Sequence, residues 1–291
     1  MSADRVIGVD LGGTKILTGV IDRQGTVHET ASRPTVTTSQ AALLDELEAA
    51  VRALPGDGAA AVGFGIPSRI DQRTGVALGA VNIPLREVAF RAEMERRLGM
   101  KVAIENDASC AAYAEFHLGA GRGVHDFVML TLGTGVGGGV VTMGRLFHAW
   151  TELGHMVIVE DGEPCYGACS GRGHVEAYCS GRAADRIAQR VIGPEATAHD
   201  LVQQRHHVLD QIGHHLGVAM GSLVNIFGAQ RIVIGGGFGL AAFEQLLPAA
   251  RMAVLTEALA PAGQELEIAP AELGAEAGLI GAGLVAFEAL E

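Results

Sequence analysis

The sequence predicts an α/β protein made of two similar halves with a ligand between them, and three observations lead there. Short β-branched runs alternate with segments of helical periodicity along the chain. Each half opens with a strand feeding a glycine-rich turn, DLGGTK at 10–15 and LGTGVGGG at 132–139. Glycine, at 41 of 291 residues, is about twice as frequent as usual and follows no Gly-X-Y period, so its residues belong to turns and ligand loops.

Residues 5–11 and 16–21 are β-branched runs on either side of a glycine turn, and a third strand at 26–34 completes an opening meander. Leu43, Leu44, Leu47 and Val51 recur at helical spacing and predict a helix over 40–54, followed by a buried strand at 60–66. Residues 90–98 read as a helix and 101–105 as a strand; 108–118 read as a helix whose start is marked by Asn106 and Asp107. The pattern then restarts, with strands at 126–132 and 139–142, long helices at 176–191 and 201–227, a strand at 231–234 and a terminal helix at 278–289. The boundary falls near 107–125. It divides the chain into an N-terminal domain, 1–107, joined by the terminal helix at about 278–291, and a C-terminal domain, 108–277.

Composition narrows the function. Hydrophobic residues make up 48% of the chain, enough for a large core. The 33 acidic against 21 basic residues give −12 at pH 7, and Lys15 and Lys101 are the only lysines. No basic tract exists to follow a nucleic-acid backbone or an anionic membrane, so neither partner is expected. The first residues lack the features of a signal peptide and no apolar run reaches the length of a membrane span, so the cytoplasm is the expected compartment. There the four cysteines stay reduced, and the close pair Cys165 and Cys169 reads better as metal ligands than as a disulfide.

Five stretches carry chemistry. In DLGGTK, Gly12 and Gly13 let backbone N–H groups approach a phosphate, Thr14 adds a hydroxyl, Lys15 a positive charge, and Asp10 a carboxylate for magnesium; a plain Gly-Gly hairpin turn is the alternative. No GxxxxGK[ST] motif occurs, which argues against a P-loop NTPase. In TLGTGVGGG, Gly133, Thr134, Gly135, Gly137 and Gly138 can wrap a second phosphate, while the β-run that follows excludes a dinucleotide fingerprint. In IGGGF, Gly235, Gly236 and Gly237 either expose backbone to a flat ligand such as adenine or make a simple turn into a helix. In IENDAS, Asp107 stands where it can take a proton from a substrate hydroxyl, or else Asn106 or Asp107 merely caps the next helix. Finally, His155, Cys165, Cys169 and His174 have the composition of a closed tetrahedral zinc site, at a spacing unlike a zinc finger. His206, Asp210 and His214, four residues apart on a predicted helix, read as a solvated polar stripe.

These motifs, in this order and over nearly the whole chain, resemble the ROK family of bacterial sugar kinases and repressors, particularly its ATP-dependent glucokinases. The resemblance implies a two-domain actin-like, ribonuclease-H-like ATPase fold with its ligand cleft between the domains. It implies phosphate loops at DLGGTK and LGTGVGGG, and an adenosine pocket at Gly235 to Gly237. Sugar contacts are implied at Gly65, Asn82, Asn106, Asp107, Glu152, His155 and Glu176, with Asp107 as general base. The loop 155–174 becomes the family's zinc loop, supporting the sugar site from behind. ATP, Mg2+ and a structural Zn2+ are the implied cofactors, and a homodimer or homotetramer the implied assembly. The chain departs from the pattern in three places: His174 stands for the usual third loop cysteine, the stretch before ELGH is short, and Ser109 replaces asparagine. Glucose is the expected sugar; N-acetylglucosamine, N-acetylmannosamine, mannose or fructose, polyphosphate in place of ATP, and a non-catalytic sugar-sensing regulator are the alternatives.

Overall fold

The computed structural model describes residues 4–54, 58–80, 82–167 and 169–290. The chain forms two compact units, one of Met1–Leu118, Phe147–Trp150 and Leu273–Glu291, the other of Gly119–Leu146 and Thr151–Glu272.

In the first unit the chain runs β1 (Arg5–Leu11), β2 (Lys15–Asp22), β3 (Val27–Pro34), α1 (Gln40–Arg52), β4 (Ala61–Ile66), a hairpin of β5 (Ser68–Asp71) and β6 (Val76–Ala80), α2 (Phe90–Leu98), β7 (Lys101–Asn106) and α3 (Asp107–Leu118). The sheet order is β3-β2-β1-β4-β7. β1, β2 and β3 pair antiparallel, and β4 and β7 add on in parallel. A parallel strand covered on both faces is apolar throughout, and β4, AVGFGI, is buried at every residue. α1 starts at Ser39, whose side chain accepts a bond from the N–H of Ala42, and it buries the predicted Leu43, Leu44, Leu47 and Val51.

The second unit holds β8 (Phe127–Leu132), β9 (Val136–Thr142), β10 (Arg145–Leu146), α4 (Val175–Cys179), α5 (Gly181–Val191), α6 (Ala198–Gln203), α7 (Val208–Phe227), β11 (Arg231–Gly235), α8 (Gly237–Glu257), α9 (Ala262–Glu265) and β12 (Glu267–Pro270). Its sheet, β10-β9-β8-β11-β12, repeats the first plan: an antiparallel meander followed by two parallel strands. α10 (Ala277–Glu288) then packs in the first unit against α3, β1 and β4. Small residues allow this: a side chain on Gly8, Gly63 or Gly281 would strike the backbone of Leu279, Ala282 or Cys110.

Several elements differ from the sequence reading. α3 packs with the first unit: the chain leaves that unit after Leu118, inside the expected 107–125 boundary region though beyond residue 107. The helix predicted over 176–191 breaks at Ser180, whose hydroxyl caps α5 by accepting from the N–H of Ala183 at 3.0 Å. The one predicted over 201–227 is two helices; His206 lies in the turn between them, so it does not share a helix with Asp210 and His214. β9 starts at Val136, which places Gly137 and Gly138 in the sheet opposite Thr131 and Leu130. α8 was not predicted, because Gly237, Gly239 and Pro248 weaken its helical signature. α8 is long and apolar enough by length and composition to cross a membrane, but Glu244 and Arg251 interrupt it, and Phe238, Ala242, Phe243, Leu246 and Val254 bury it in the core of the second unit.

Candidate active site

In the first unit, β1, β4 and β7 lie side by side in parallel and bring the loops after them together. The β1–β2 turn is closed by the N–H of Gly12 donating to the carbonyl of Lys15 at 2.9 Å and by Thr35 Oγ1 donating to the carbonyl of Gly12 at 2.7 Å. Gly13, Thr14 and Lys15 are exposed, and Asn82 lies against Gly13. Gly65, at the end of β4, is buried against Cys110 and the Cα of Asp107, so it supports the start of α3.

At the β7–α3 junction the capping reading of IENDAS holds. Asn106 Oδ1 accepts from the N–H groups of Ala108 at 3.0 Å and Ser109 at 3.2 Å, which makes Asn106 the helix cap. Asp107 begins the helix one residue later, and its Oδ1 accepts from the N–H of Ala108 at 2.9 Å. Burial, then the negative charge of Asp107, push the Asp10 carboxyl up to about 6, against the opposing pull of Lys15. The two acids thus share one electrostatic environment, in which Asp10 is the desolvated partner.

In the second unit, only Gly133, Thr134 and Gly135 form the β8–β9 turn. Glu176, on α4, accepts from the N–H of Val136 at 2.9 Å, and its carboxylate occupies the space a side chain on Gly135 would need. The N–H of Gly181, first residue of α5, donates to the carbonyl of Gly133 at 2.7 Å. Gly235 pairs with Thr131, so the start of α8 lies beside the same turn. Gly236 has φ +81° and a side chain there would sit 2.5 Å from the carbonyl of Leu132, two reasons for glycine. The turn and the N-termini of α5 and α8 thus gather at one end of the sheet, where the positive ends of the helix dipoles favour anionic ligands.

The cluster of His155, Cys165, Cys169 and His174 assembles as the sequence predicted, its ligand atoms all within 4.8 Å of one another. His155 Nδ1 is 3.2 Å from His174 Nδ1, and each lies 3.7 Å from a sulfur, Cys165 Sγ and Cys169 Sγ respectively. A tetrahedral zinc with ordinary Zn–N and Zn–S bonds requires separations of roughly 3.3 and 3.6 Å, so the geometry fits. Burial, followed by the neighbouring Cys169, pushes the Cys165 thiol up to about 11; a cation is what makes it a thiolate ligand. The backbone of the loop is laced by bridges pairing Val157 with His174 and Pro164 with Arg172.

Sequence reading missed one part of this region. Glu105, buried beside Asn106, is held by Gln72 and by His148, a partner 43 residues away that no motif announces. Trp150 is bonded through its indole N–H to the carbonyl of Ile70 at 3.0 Å.

Two units repeating one strand plan are those of the two-domain actin-like, ribonuclease-H-like ATPase fold. The ROK family glucokinase from Streptomyces griseus, solved with glucose and AMPPNP, has a similar structure, with a TM-score of 0.81 and 30% identity over 98% of this chain and 99% of that one. The ROK family model matches residues 6–289, and the chain belongs to that family. Among its relatives are a glucokinase of Streptomyces coelicolor, 32% identical over 97% of both chains, and an N-acetyl-D-glucosamine kinase of Vibrio atlanticus, 31% identical over 81% of this chain and 85% of that one.

Proposed function

We propose that this ROK-family chain, an ATP-dependent sugar kinase, transfers the γ-phosphate of ATP to the 6-hydroxyl of glucose with Asp107 as general base. The observation that carries the reading is the β7–α3 junction: Asn106 caps the helix, and Asp107 opens it at the end of β7, where its charge acts on the buried Asp10 carboxyl. The turns Gly12–Lys15 and Gly133–Gly135, with Gly235 to Gly237, supply backbone N–H groups to the nucleotide. Gly137, inside β9, backs its turn from the sheet. Asp10 would hold Mg2+, which neutralises charge on the transferring phosphoryl group.

Asn82, Asn106, Asp107, Glu152 and His155 bind the sugar, with Gly65 and Glu176 supporting them. Asp107 accepts the proton of the 6-hydroxyl as that oxygen bonds to the γ-phosphorus and ADP leaves. His155, with Cys165, Cys169 and His174, would hold a zinc ion through Nδ1, which would leave its other nitrogen for a sugar hydroxyl. The free thiols and the ATP chemistry support a cytoplasmic setting. Exposed Ile226, Met252, Leu255 and Leu259 are apolar enough to form the face of a homodimer or homotetramer.

The test is ADP release with Mg·ATP across glucose, mannose, fructose, N-acetylglucosamine and N-acetylmannosamine, for the wild type and Asp107→Asn. Glucose preference, and a turnover lowered roughly 10²- to 10⁴-fold in the variant with glucose binding retained, is the expected result. A loss under tenfold removes Asp107 as base. The N-acetyl-D-glucosamine kinase relative supports the second reading, which preference for that sugar would establish.

A further inference from the structure

Between Leu146 and Thr151 the chain contributes four residues, Phe147–Trp150, to the first unit and then returns to the second. His148 is the centre of this strap. Its Nδ1 is 2.7 Å from Glu105 Oε2 and its Nε2 is 3.6 Å from Glu288 Oε2 on α10. The Glu105 side chain is 5% exposed, so its carboxylate needs partners. It finds three: His148, the Gln72 amide at 2.9 Å, and the N–H of Asn106 at 2.8 Å. The last is the backbone of the residue that caps α3 and precedes Asp107. Two residues on, the Trp150 indole fixes the strap to β5 under the Arg69 guanidinium, immediately before Thr151 and Glu152.

We propose that His148 is a positioning residue for sugar phosphorylation: as the counter-charge of buried Glu105 it holds the Asn106–Asp107 turn. The inference rests on the reading of Asp107 as base. The groups facing His148 are Glu105 from β7 and Glu288 from α10; Tyr113 and His117 of α3 act on it through Glu288. Hydrogen bonds donated to Glu105, then Glu288, raise His148 to about 9. The imidazolium is therefore present at neutral pH and lost above that value, which gives the clasp a signature that simple packing lacks.

The experiment is steady-state glucose phosphorylation from pH 6.5 to 10 for the wild type, His148→Gln, His148→Lys and Asp107→Asn, with glucose binding measured by calorimetry. The expected wild-type profile falls on its alkaline side with a midpoint near 9. His148→Gln should lower kcat/KM roughly tenfold at neutral pH and erase that limb, because a small displacement of a base is costly. His148→Lys should restore activity and move the limb upward, since lysine titrates higher. A His148→Gln profile within about twofold of wild type across the range overturns the proposal. Should that variant not fold, Glu288→Gln replaces it: the limb moves to lower pH if the clasp exists, and a limb that stays in place overturns it. Full activity in Asp107→Asn, with the His148 effects intact, would instead overturn the assignment of the base.

Discussion

Asp10 sits where function and stability oppose each other. Its carboxyl is raised from 3.8 to about 6 in the folded chain, so between those values the native state holds a proton that the unfolded chain has released. Stability therefore falls as pH rises through that window, and above it the ionised group costs about 3 kcal/mol. Asp10→Asn should raise the thermal midpoint of the ligand-free protein at pH 7 by a few degrees while abolishing phosphorylation. A variant less stable than wild type at pH 7, in matched scanning calorimetry, would contradict this. The placement of Asp10 and Asp107 at strand-to-turn junctions was legible from the sequence because each stands in a short motif after a strand run. Glu105 and His148 were not, because their relation exists only after the strap folds onto the strand.

The loop 155–174 and the turn at Gly236 are the elements most open to test. Four ligands at tetrahedral spacing should bind about one zinc per chain, counted by metal analysis. Removal by a strong chelator, or Cys165→Ser, should expose the loop to proteolysis and raise the KM for sugar roughly tenfold or more. An unchanged KM in metal-free protein would make the site irrelevant to the sugar. Gly236→Ala places a side chain against the Leu132 carbonyl at positive φ and should cost about 2 kcal/mol in chemical denaturation, weakening ATP more than glucose. Strands with alternating or unbroken apolar runs, such as β1 and β4, were readable from sequence. The breaks at Ser180 and before α7 were not, because serine and histidine are ordinary helix-surface residues until a local cap competes with the helix. The short β5–β6 hairpin, with four and five residues per strand, gave too little periodicity to detect.

At the scale of the whole molecule, each half has its own core, and the sequence announced the duplication through its two glycine turns. The path of the chain between the units was not announced: a strap of four residues carries no periodicity. Removal of residues 273–291 should unfold the first unit, stripping α10 from α3, β1 and β4, while the second unit resists protease; equal digestion of both would refute that independence. The placement of α10 also sets a schedule. During synthesis at roughly 5–20 residues per second, β1 to α3 emerge long before the helix that packs onto Gly8 and Gly63. The opening two-fifths or so of the polypeptide must wait, partly assembled, until residues 277–288 clear the ribosome. The half carrying Asp107 is thus the first to be made and the last to be finished, so nascent chains stalled before α10 would be the natural clients of a chaperone.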